Sequence, residues 1–114
     1  MTKPVGPYTP VVETDGWLVL SGQVGLRDGQ LVRGGVRDEA AQALENVRAL
    51  LESKGASMDD VVKTTVFLRH IDDYAAVNEV YVAAFGDHRP ARSAVAVAGL
   101  PLGALVEVEA WARG

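Results

Sequence analysis

The segment that most constrains the fold is a run of small, mostly apolar residues near the carboxyl end of the chain, at residues 93–98. A short run of this kind between turn signals is typical of a strand that is buried on both faces of a sheet. Pro90 prevents a helix from continuing into the run, and residues 99–103 predict a turn after it. Both faces of the sheet that contains this strand must therefore be covered.

Two amphipathic helices are predicted, one on each side of a strand at residues 61–68. In the first helix, over residues 36–54, apolar residues recur at spacings of three and four and form one stripe. Gly55 ends that helix. The second helix covers residues 73–85, and Asp72 is its predicted N-cap. Its buried face is predicted to contain four large side chains, namely Tyr74, Val77, Tyr81 and Phe85.

The remaining strands define the fold class. The dipeptide Asp15-Gly16 predicts a tight hairpin between strands at residues 11–13 and 17–20, and residues 104–112 predict the last strand. Residues 25–35 are rich in glycine and carry charges, which predicts a loop with a short turn. Together with residues 93–98, the order is ββαβαββ. This order predicts an α+β fold, with a mixed β-sheet that carries both helices on one face.

Two helices cover only one face of such a sheet. The last strand also presents an alternate face, and residues 93–98 are small and apolar on both sides. An open apolar face of this size exceeds what a monomeric protein usually exposes. We therefore predict that self-association buries the second face. On the last strand, that face is formed by Leu105, Glu107, Glu109 and Trp111.

The composition excludes several classes of protein. The 114 residues correspond to a single domain, residues 1–114. The chain has no cysteine, which excludes disulfides, thiolate catalysis and zinc fingers. No apolar run approaches the roughly 20 residues that span a bilayer, and the first residues lack the apolar core of a signal peptide. We therefore expect a cytoplasmic protein that does not bind membranes.

Charge and motifs narrow the partners further. A net charge of −4 and a pI near 5.0, with scattered arginines, argue against nucleic-acid binding. His70 and His88 lie beside charged residues and are predicted to be solvated surface residues. The chain has no phosphate-binding loop, dinucleotide fingerprint or nucleophile elbow. The sequence therefore predicts no metal site and no bound cofactor.

One arginine lies at the start of the apolar run. The guanidinium of Arg92 stays charged at physiological pH, and its planar fork of donors matches a carboxylate. Placing such a group beside a dry strand costs free energy unless an anion meets it. Spacing alone leaves two interpretations open: Arg92 forms a structural ion pair, or it anchors an anionic ligand.

Other candidate residues are individually weak. Glu107 and Glu109 share one face of the last strand, where burial in an oligomer would raise a carboxyl pKa. Either one is equally well a solvated carboxylate or a partner of Arg92. Ser21 lies where the second strand ends, and Tyr8 follows a rigid Gly-Pro turn. Asn78 is a polar residue beside the buried face of the second helix, where a structural amide is the commoner role.

In combination, these segments resemble the RidA/YjgF/YER057c-type family, the reactive intermediate deaminases. Seven blocks occur in order over nearly the whole chain, and the Arg-Ser strand followed by Leu-Pro is the most diagnostic of them. The blocks are residues 6–8 (GPY), 21–23 (SGQ), 42–47 (QALENV), 61–68 (VVKTTVFL), 77–81 (VNEVY), 90–93 (PARS) with 100–101 (LP), and 106–110 (VEVEA).

The resemblance implies a fold, an assembly and an activity. The fold is a chorismate-mutase-like α+β sandwich, and the assembly is a homotrimer with ligand clefts between subunits. The activity is hydrolysis of enamines and imines such as 2-aminoacrylate to 2-ketoacids and ammonia, without a cofactor. Arg92 would hold the substrate carboxylate and Glu107 would position or activate water. The implied substrate-binding residues are Tyr8, Ser21, Asn78 and Arg92.

The chain departs from the family pattern at three places, and other functions stay open. Glu39 replaces a common glutamine, Ala94 replaces a cysteine found in some members, and residues 86–89 form a short segment. These positions are predicted to lie near the cleft and to affect substrate preference. A module of the same fold that binds a small carboxylate without turnover is the main alternative. RNA cleavage and a purely structural role are the others.

Overall fold

The computed structural model describes residues 4–114 and contains the predicted main-sheet strands and helices in the predicted order. Both helices and the longer strands follow the apolar patterns in the sequence. The elements are β1 (Val11–Thr14), β2 (Trp17–Gln23), β3 (Leu26–Arg27), β4 (Gln30–Leu31), α1 (Val36–Glu52), β5 (Val61–Leu68), α2 (Tyr74–Phe85), β6 (Ala91–Ala96) and β7 (Val106–Arg113). Within the described residues, no helix has the length and apolar character needed to span a bilayer.

Five of the strands form one mixed sheet with the order β1-β2-β7-β5-β6. The pair β5–β6 is parallel, and the other neighbouring pairs are antiparallel. The parallel pair is connected through α2, as a parallel connection requires. The predicted α+β class and the order ββαβαββ in the main sheet are confirmed.

Both helices pack against one face of this sheet. The apolar stripe of α1 is buried against β2 and β7, and the large side chains of α2 complete the same core. On the sheet, alternate residues of β5 and β7 point into the core, as the period of two requires. The buried positions of these two strands are Val61, Thr64, Val66, Leu68, Val106, Val108, Ala110 and Ala112.

Within residues 4–114 the opposite face of the sheet carries no helix, as predicted, and we call it the open face. It consists of the residues that alternate with the core positions. Several of them are large and apolar, and Val95 and Trp111 keep 44% and 46% of their surface exposed. Its members on the three strands β5, β6 and β7 are Lys63, Thr65, Phe67, Ala91, Ser93, Val95, Glu107, Glu109 and Trp111.

The strand predicted at residues 93–98 differs from expectation in position and burial. It begins at Ala91 and ends at Ala96, because its parallel pairing with β5 runs over those residues. It is an edge strand rather than a central one, and Ala91, Ser93 and Val95 are exposed. The apolar run is therefore not buried on both faces within one chain.

Three local predictions also need correction. Residues 25–35, predicted as a loop with a turn, contain the hairpin β3–β4, whose strands of two residues are too short to show a period in the sequence. Helix α2 begins at Tyr74, and its N-cap is Asp73 rather than Asp72, because a 3-10 turn occupies Ile71–Asp73. His88 is half-buried, not solvated, since its Nε2 lies 2.7 Å from the carbonyl oxygen of Val61.

Candidate active site

The structure divides the predicted site residues into two groups on opposite faces of the sheet. Arg92 is in register with Thr64, which points into the core on the helix-covered face. Glu107 is in register with Phe67, which belongs to the open face. Because neighbouring residues at one register level share a face, Arg92 and Glu107 point away from each other within one chain.

The first group surrounds Arg92 at the sheet edge. Its Nη1 donates a hydrogen bond to Oδ1 of Asn78 at 2.8 Å, and its Nη2 donates one to the hydroxyl of Tyr74 at 3.0 Å. The guanidinium carbon also lies 5.5 Å from the ring centroid of Tyr74 and 4.9 Å from that of Tyr81. The structure thus brings two of the predicted substrate-binding residues, Arg92 and Asn78, into contact.

The partners of Arg92 are all neutral. In the part of the chain that the structure describes, residues 4–114, no carboxylate lies within 4.0 Å of its guanidinium. The ion-pair interpretation, including a pair with Glu107 or Glu109, is therefore wrong for the single chain. The neutral partners hold the guanidinium of Arg92 in place, but no carboxylate of residues 4–114 neutralises its positive charge.

Two buried side chains, Tyr81 and Thr64, fix the aromatic ring that lies next to the guanidinium of Arg92. The hydroxyl of Tyr81 lies 2.7 Å from Oγ1 of Thr64, and both residues are buried. Burial raises the pKa of Tyr81, and the hydrogen bond to Thr64 and the charge of Arg92 oppose that rise only in part. Tyr81 therefore stays a neutral phenol whose ring is fixed beneath the guanidinium.

The second group lines a cavity of about 240 Å³ between the N-terminal segment, the end of β2 and α1. Tyr8, Ser21 and Glu107 all contribute to its wall, so three predicted site residues meet here. The Ser21 hydroxyl donates to the carbonyl oxygen of Thr9 at 2.7 Å, and the Tyr8 hydroxyl accepts from the amide of Val5 at 3.3 Å. The apolar part of the wall consists of Pro4, Val5, Pro10, Val24, Leu26, Ala49, Leu50 and Pro101.

Glu107 has the electrostatic character expected of a proton acceptor in this cavity. Burial raises the pKa of its carboxyl group above the usual value of 4.5, and the nearby charge of Glu109 raises it further. A carboxylate with a raised pKa accepts a proton more readily than an ordinary surface glutamate. The raised pKa therefore makes Glu107 a better proton acceptor than an ordinary glutamate.

A bulge in β2 makes room for this carboxylate. The pairing register with β7 shifts between Leu20 and Gln23, and Gly22 lies in the irregular part. A Cβ atom at Gly22 would lie 2.7 Å from Cδ and Oε2 of Glu107. Only glycine therefore leaves the carboxylate in its observed position.

We expect Gly22→Ala to displace the Glu107 side chain without unfolding the protein, since the clashing atoms are the end of a flexible chain. Any turnover in which Glu107 takes part should fall at least about tenfold, because a small misplacement of a reacting group is costly. Gly99→Ala is the matched control, since a Cβ atom there meets nothing within 4 Å. Steady-state kinetics and melting temperatures of both variants test the expectation, and equal activity of the two variants would contradict it.

Sequence reasoning missed two of the residues around Arg92. Tyr74 and Tyr81 were assigned to the core, yet both contact the guanidinium, and Tyr74 is 42% exposed. The spacing of Tyr74, Asn78 and Tyr81 places them on one face of α2, at i, i+4 and i+7. This spacing in the sequence indicates that the two tyrosines lie next to Asn78.

The three departures from the family pattern do not line the cavity. Glu39 is buried and its Oε1 accepts a hydrogen bond from the amide of Leu105 at 2.8 Å. Ala94 packs against the core. The segment at residues 86–89 is fixed by Arg89, which donates to the carbonyl oxygens of Gly86 and His88. Ala94 lies two residues from Arg92 on the same face of β6, so the predicted position of these residues near the cleft stays a prediction.

Together, the fold and the two groups define a small α+β protein. It holds Arg92 at one sheet edge, with no carboxylate of residues 4–114 paired to the guanidinium, and it holds the carboxylate of Glu107 in a separate cavity. The endoribonuclease L-PSP family model matches residues 1–113. The chain therefore belongs to this family, which includes RidA and YjgF, and the resemblance seen in the sequence is confirmed.

Similar proteins include one from Mus musculus named 2-iminobutanoate/2-iminopropanoate deaminase, which is 48% identical over 110 residues, covering 95% of this chain and 82% of the mouse protein. The crystal structure of RidA from an Antarctic Psychrobacter bacterium has a TM-score of 0.94 at 39% identity and covers 98% of this chain and 92% of that one. The structure of E. coli TdcF with bound serine has a TM-score of 0.92 at 37% identity, covering 97% of this chain and 91% of that one.

Proposed function

We propose that this protein hydrolyses enamines and imines of the 2-aminoacrylate type to 2-ketoacids and ammonia. The observation that carries the proposal is the guanidinium of Arg92, held by neutral groups and unpaired with any carboxylate of residues 4–114. Such a site fits the carboxylate of a small 2-imino acid. The name of the mouse relative and the serine bound to TdcF support the same chemistry.

The complete site is proposed to form between subunits of a homotrimer. Arg92 and Glu107 lie on opposite faces, so one chain does not bring them to the same substrate. The edge strand β6 and the apolar open face both lack a covering element within residues 4–114. A cyclic assembly places the Arg92 edge of one subunit against the Glu107 cavity of the next and buries the open face.

The reaction then follows from the two groups. An enamine substrate first tautomerises to the imine, as a proton moves from its nitrogen to its terminal carbon. Two N–H groups of Arg92 bind the substrate carboxylate, which orients the adjacent C=N carbon. Glu107 accepts a proton from a water molecule while the oxygen of that water attacks the C=N carbon. The protonated Glu107 then returns this proton to the nitrogen, which gives a tetrahedral carbinolamine. Glu107 next moves the hydroxyl proton of that intermediate to the amine nitrogen, so that the C–N bond breaks and ammonia leaves as the C=O bond forms. One water is consumed for each ammonia released.

The cavity residues are suited to the polar ends of this intermediate. The Ser21 hydroxyl donates its one hydrogen bond to the carbonyl oxygen of Thr9. Its oxygen can therefore only accept a hydrogen bond, which fits an N–H of the leaving nitrogen. The Tyr8 hydroxyl accepts from Val5 and retains its own proton to donate. These two groups therefore provide complementary hydrogen bonds to the reacting centre.

A coupled assay tests the proposal. A serine or threonine dehydratase releases the enamine, and the appearance of the 2-ketoacid is followed with and without this protein. We expect the protein to accelerate ketoacid formation above the spontaneous rate. An unchanged rate with both dehydratases would refute the proposed activity.

Binding without turnover is the second candidate, because the Arg92 group is complete in a single chain without Glu107. In that case 2-ketobutanoate would raise the melting temperature, since a ligand that binds only the folded state stabilises it. The same protein would leave the coupled assay unchanged. The combination of the two measurements separates the candidates.

The assembly gives a prediction of its own. Val95→Glu places a charge on the open face, and we expect it to convert the oligomer to monomers, because burying an unpaired carboxylate opposes association. Val82→Glu is the matched control, since Val82 has the same 44% exposure but lies on α2. Light scattering measures both masses. Equal masses for the two variants would show that the open face is not the interface.

A further inference from the structure

Helix α2 presents a second polar contact to Arg92 beside the one from Asn78. The Tyr74 hydroxyl accepts a hydrogen bond from Nη2, while Oδ1 of Asn78 accepts one from Nη1. The two contacts come from one helix face, four residues apart. Each terminal nitrogen of the guanidinium is therefore held by its own partner.

Two contacts restrict the guanidinium more than one contact does. A single hydrogen bond leaves the planar group free to pivot about that bond, whereas two bonds to different nitrogens fix the direction of the plane. A guanidinium has five N–H donors, and these contacts use two of them. The remaining three are one on each terminal nitrogen and one on Nε. A carboxylate needs two, so Tyr74 and Asn78 decide which edge of the fork is presented.

The Tyr74 hydroxyl has little to do for folding. Its side chain is 42% exposed, and an exposed polar contact contributes little to stability because water can replace it. Tyr81, by contrast, is buried and bonded to Thr64, and supplies the fixed ring beneath the charge. The position of Tyr74 is therefore better explained by its effect on Arg92 than by the core.

We propose that Tyr74 is a positioning residue that, through Nη2, orients the fork of Arg92 toward the substrate carboxylate. This inference rests on the proposed function. Tyr74 touches the arginine and not the reacting atoms, so its effect is transmitted through the anchor. Removing its hydroxyl should weaken the hold on the carboxylate more than it slows the chemical step.

Tyr74→Phe tests the inference, because it keeps the ring over the guanidinium and removes only the acceptor. We expect KM for the imine and Kd for 2-ketobutanoate to rise about tenfold, the lower range for one hydrogen bond to a charged group, while kcat changes less than threefold. The melting temperature of the free protein should stay within about 2 °C of that of the parent. Val82→Ala, an exposed change on the same helix, is the control and should leave all these values unchanged.

Nitrogen NMR of the arginine side chains gives a readout that does not depend on activity. Slow rotation about the Nε–Cζ bond of Arg92 gives separate signals for its two terminal nitrogens, and Arg92→Lys identifies them. We expect faster rotation in Tyr74→Phe but not in Val82→Ala. Unchanged rotation, or KM and Kd within twofold of the parent, would overturn the inference. A parent protein with no turnover in the coupled assay would instead refute the proposed function.

Discussion

Replacing Arg92 with lysine should lower kcat/KM at least about 100-fold, even though the charge is retained. Lysine provides a point charge without the planar fork, so the carboxylate loses its paired hydrogen bonds and its orientation together. Lysine also loses the geometry that now satisfies both Asn78 and Tyr74. The loss corresponds to about 3 kcal/mol, as expected when a closely paired charge loses its partner geometry.

Arg92→Ala should be less active still, because it removes the charge as well. Arg89→Lys is the matched control, since Arg89 is exposed and donates only to the nearby carbonyl oxygens of Gly86 and His88. The coupled dehydratase assay measures all three variants. Parent-like turnover by Arg92→Ala would remove Arg92 from the reaction and leave the proposed mechanism without an anchor.

Glu107→Gln should lower kcat by about 100-fold or more, because the amide cannot accept the proton of the attacking water. The variant is nearly the same size, so the tight contact with Gly22 is kept. Glu109→Gln is the control: it removes a carboxylate from the same strand without removing the proposed base. Turnover by Glu107→Gln equal to that of the parent would exclude the water-activating role alone, not the anchoring role of Arg92.

The pH dependence of the rate follows from the raised pKa of Glu107. The base acts as a carboxylate, so the rate should fall as the pH decreases through this pKa, at a pH above the usual 4.5. Glu109→Gln should shift this acid limb to lower pH, because the charge of Glu109 contributes to the rise. An acid limb that is the same in both proteins would show that another group controls it.

The same pKa has the opposite sign for stability. A carboxyl group whose pKa is raised on folding stabilises the folded state when it is protonated. This contribution is complete below the unfolded value of about 4.5 and is lost as the pH rises through the folded value. Above the folded value the ionised Glu107 therefore disfavours folding, and Glu107→Gln should then unfold at the same or a higher denaturant concentration than the parent.

The sequence predicts the elements well where one period dominates. The stripe of α1 and the alternation of β7 locate both elements to within two residues, because each buries one regular face. Tyr74 fits the same helical period as Val77 and Tyr81, yet it is exposed. Because β6 is the last strand of the sheet, the first turn of α2 meets Arg92 and solvent rather than more core.

The candidate site could be predicted only in part. The residue types and blocks indicate Arg92 and Glu107, but their relation depends on pairing register, which the sequence does not specify. Only the pairs Thr64–Arg92 and Phe67–Glu107 show that the two side chains point to opposite faces. The space for the carboxylate at Gly22 likewise depends on the bulge in β2.

The placement of arginine and carboxylate on opposite faces has a consequence for mixed populations of this chain. In the proposed homotrimer, each site takes its Arg92 from one subunit and its Glu107 from a neighbouring subunit. A subunit in which Arg92 is substituted still contributes an intact Glu107. A subunit in which Glu107 is substituted still contributes an intact Arg92. If the two inactive variants are mixed in equal amounts before assembly, roughly a quarter of the sites should contain both an intact Arg92 and an intact Glu107. Defects in this protein would complement each other between copies rather than simply add.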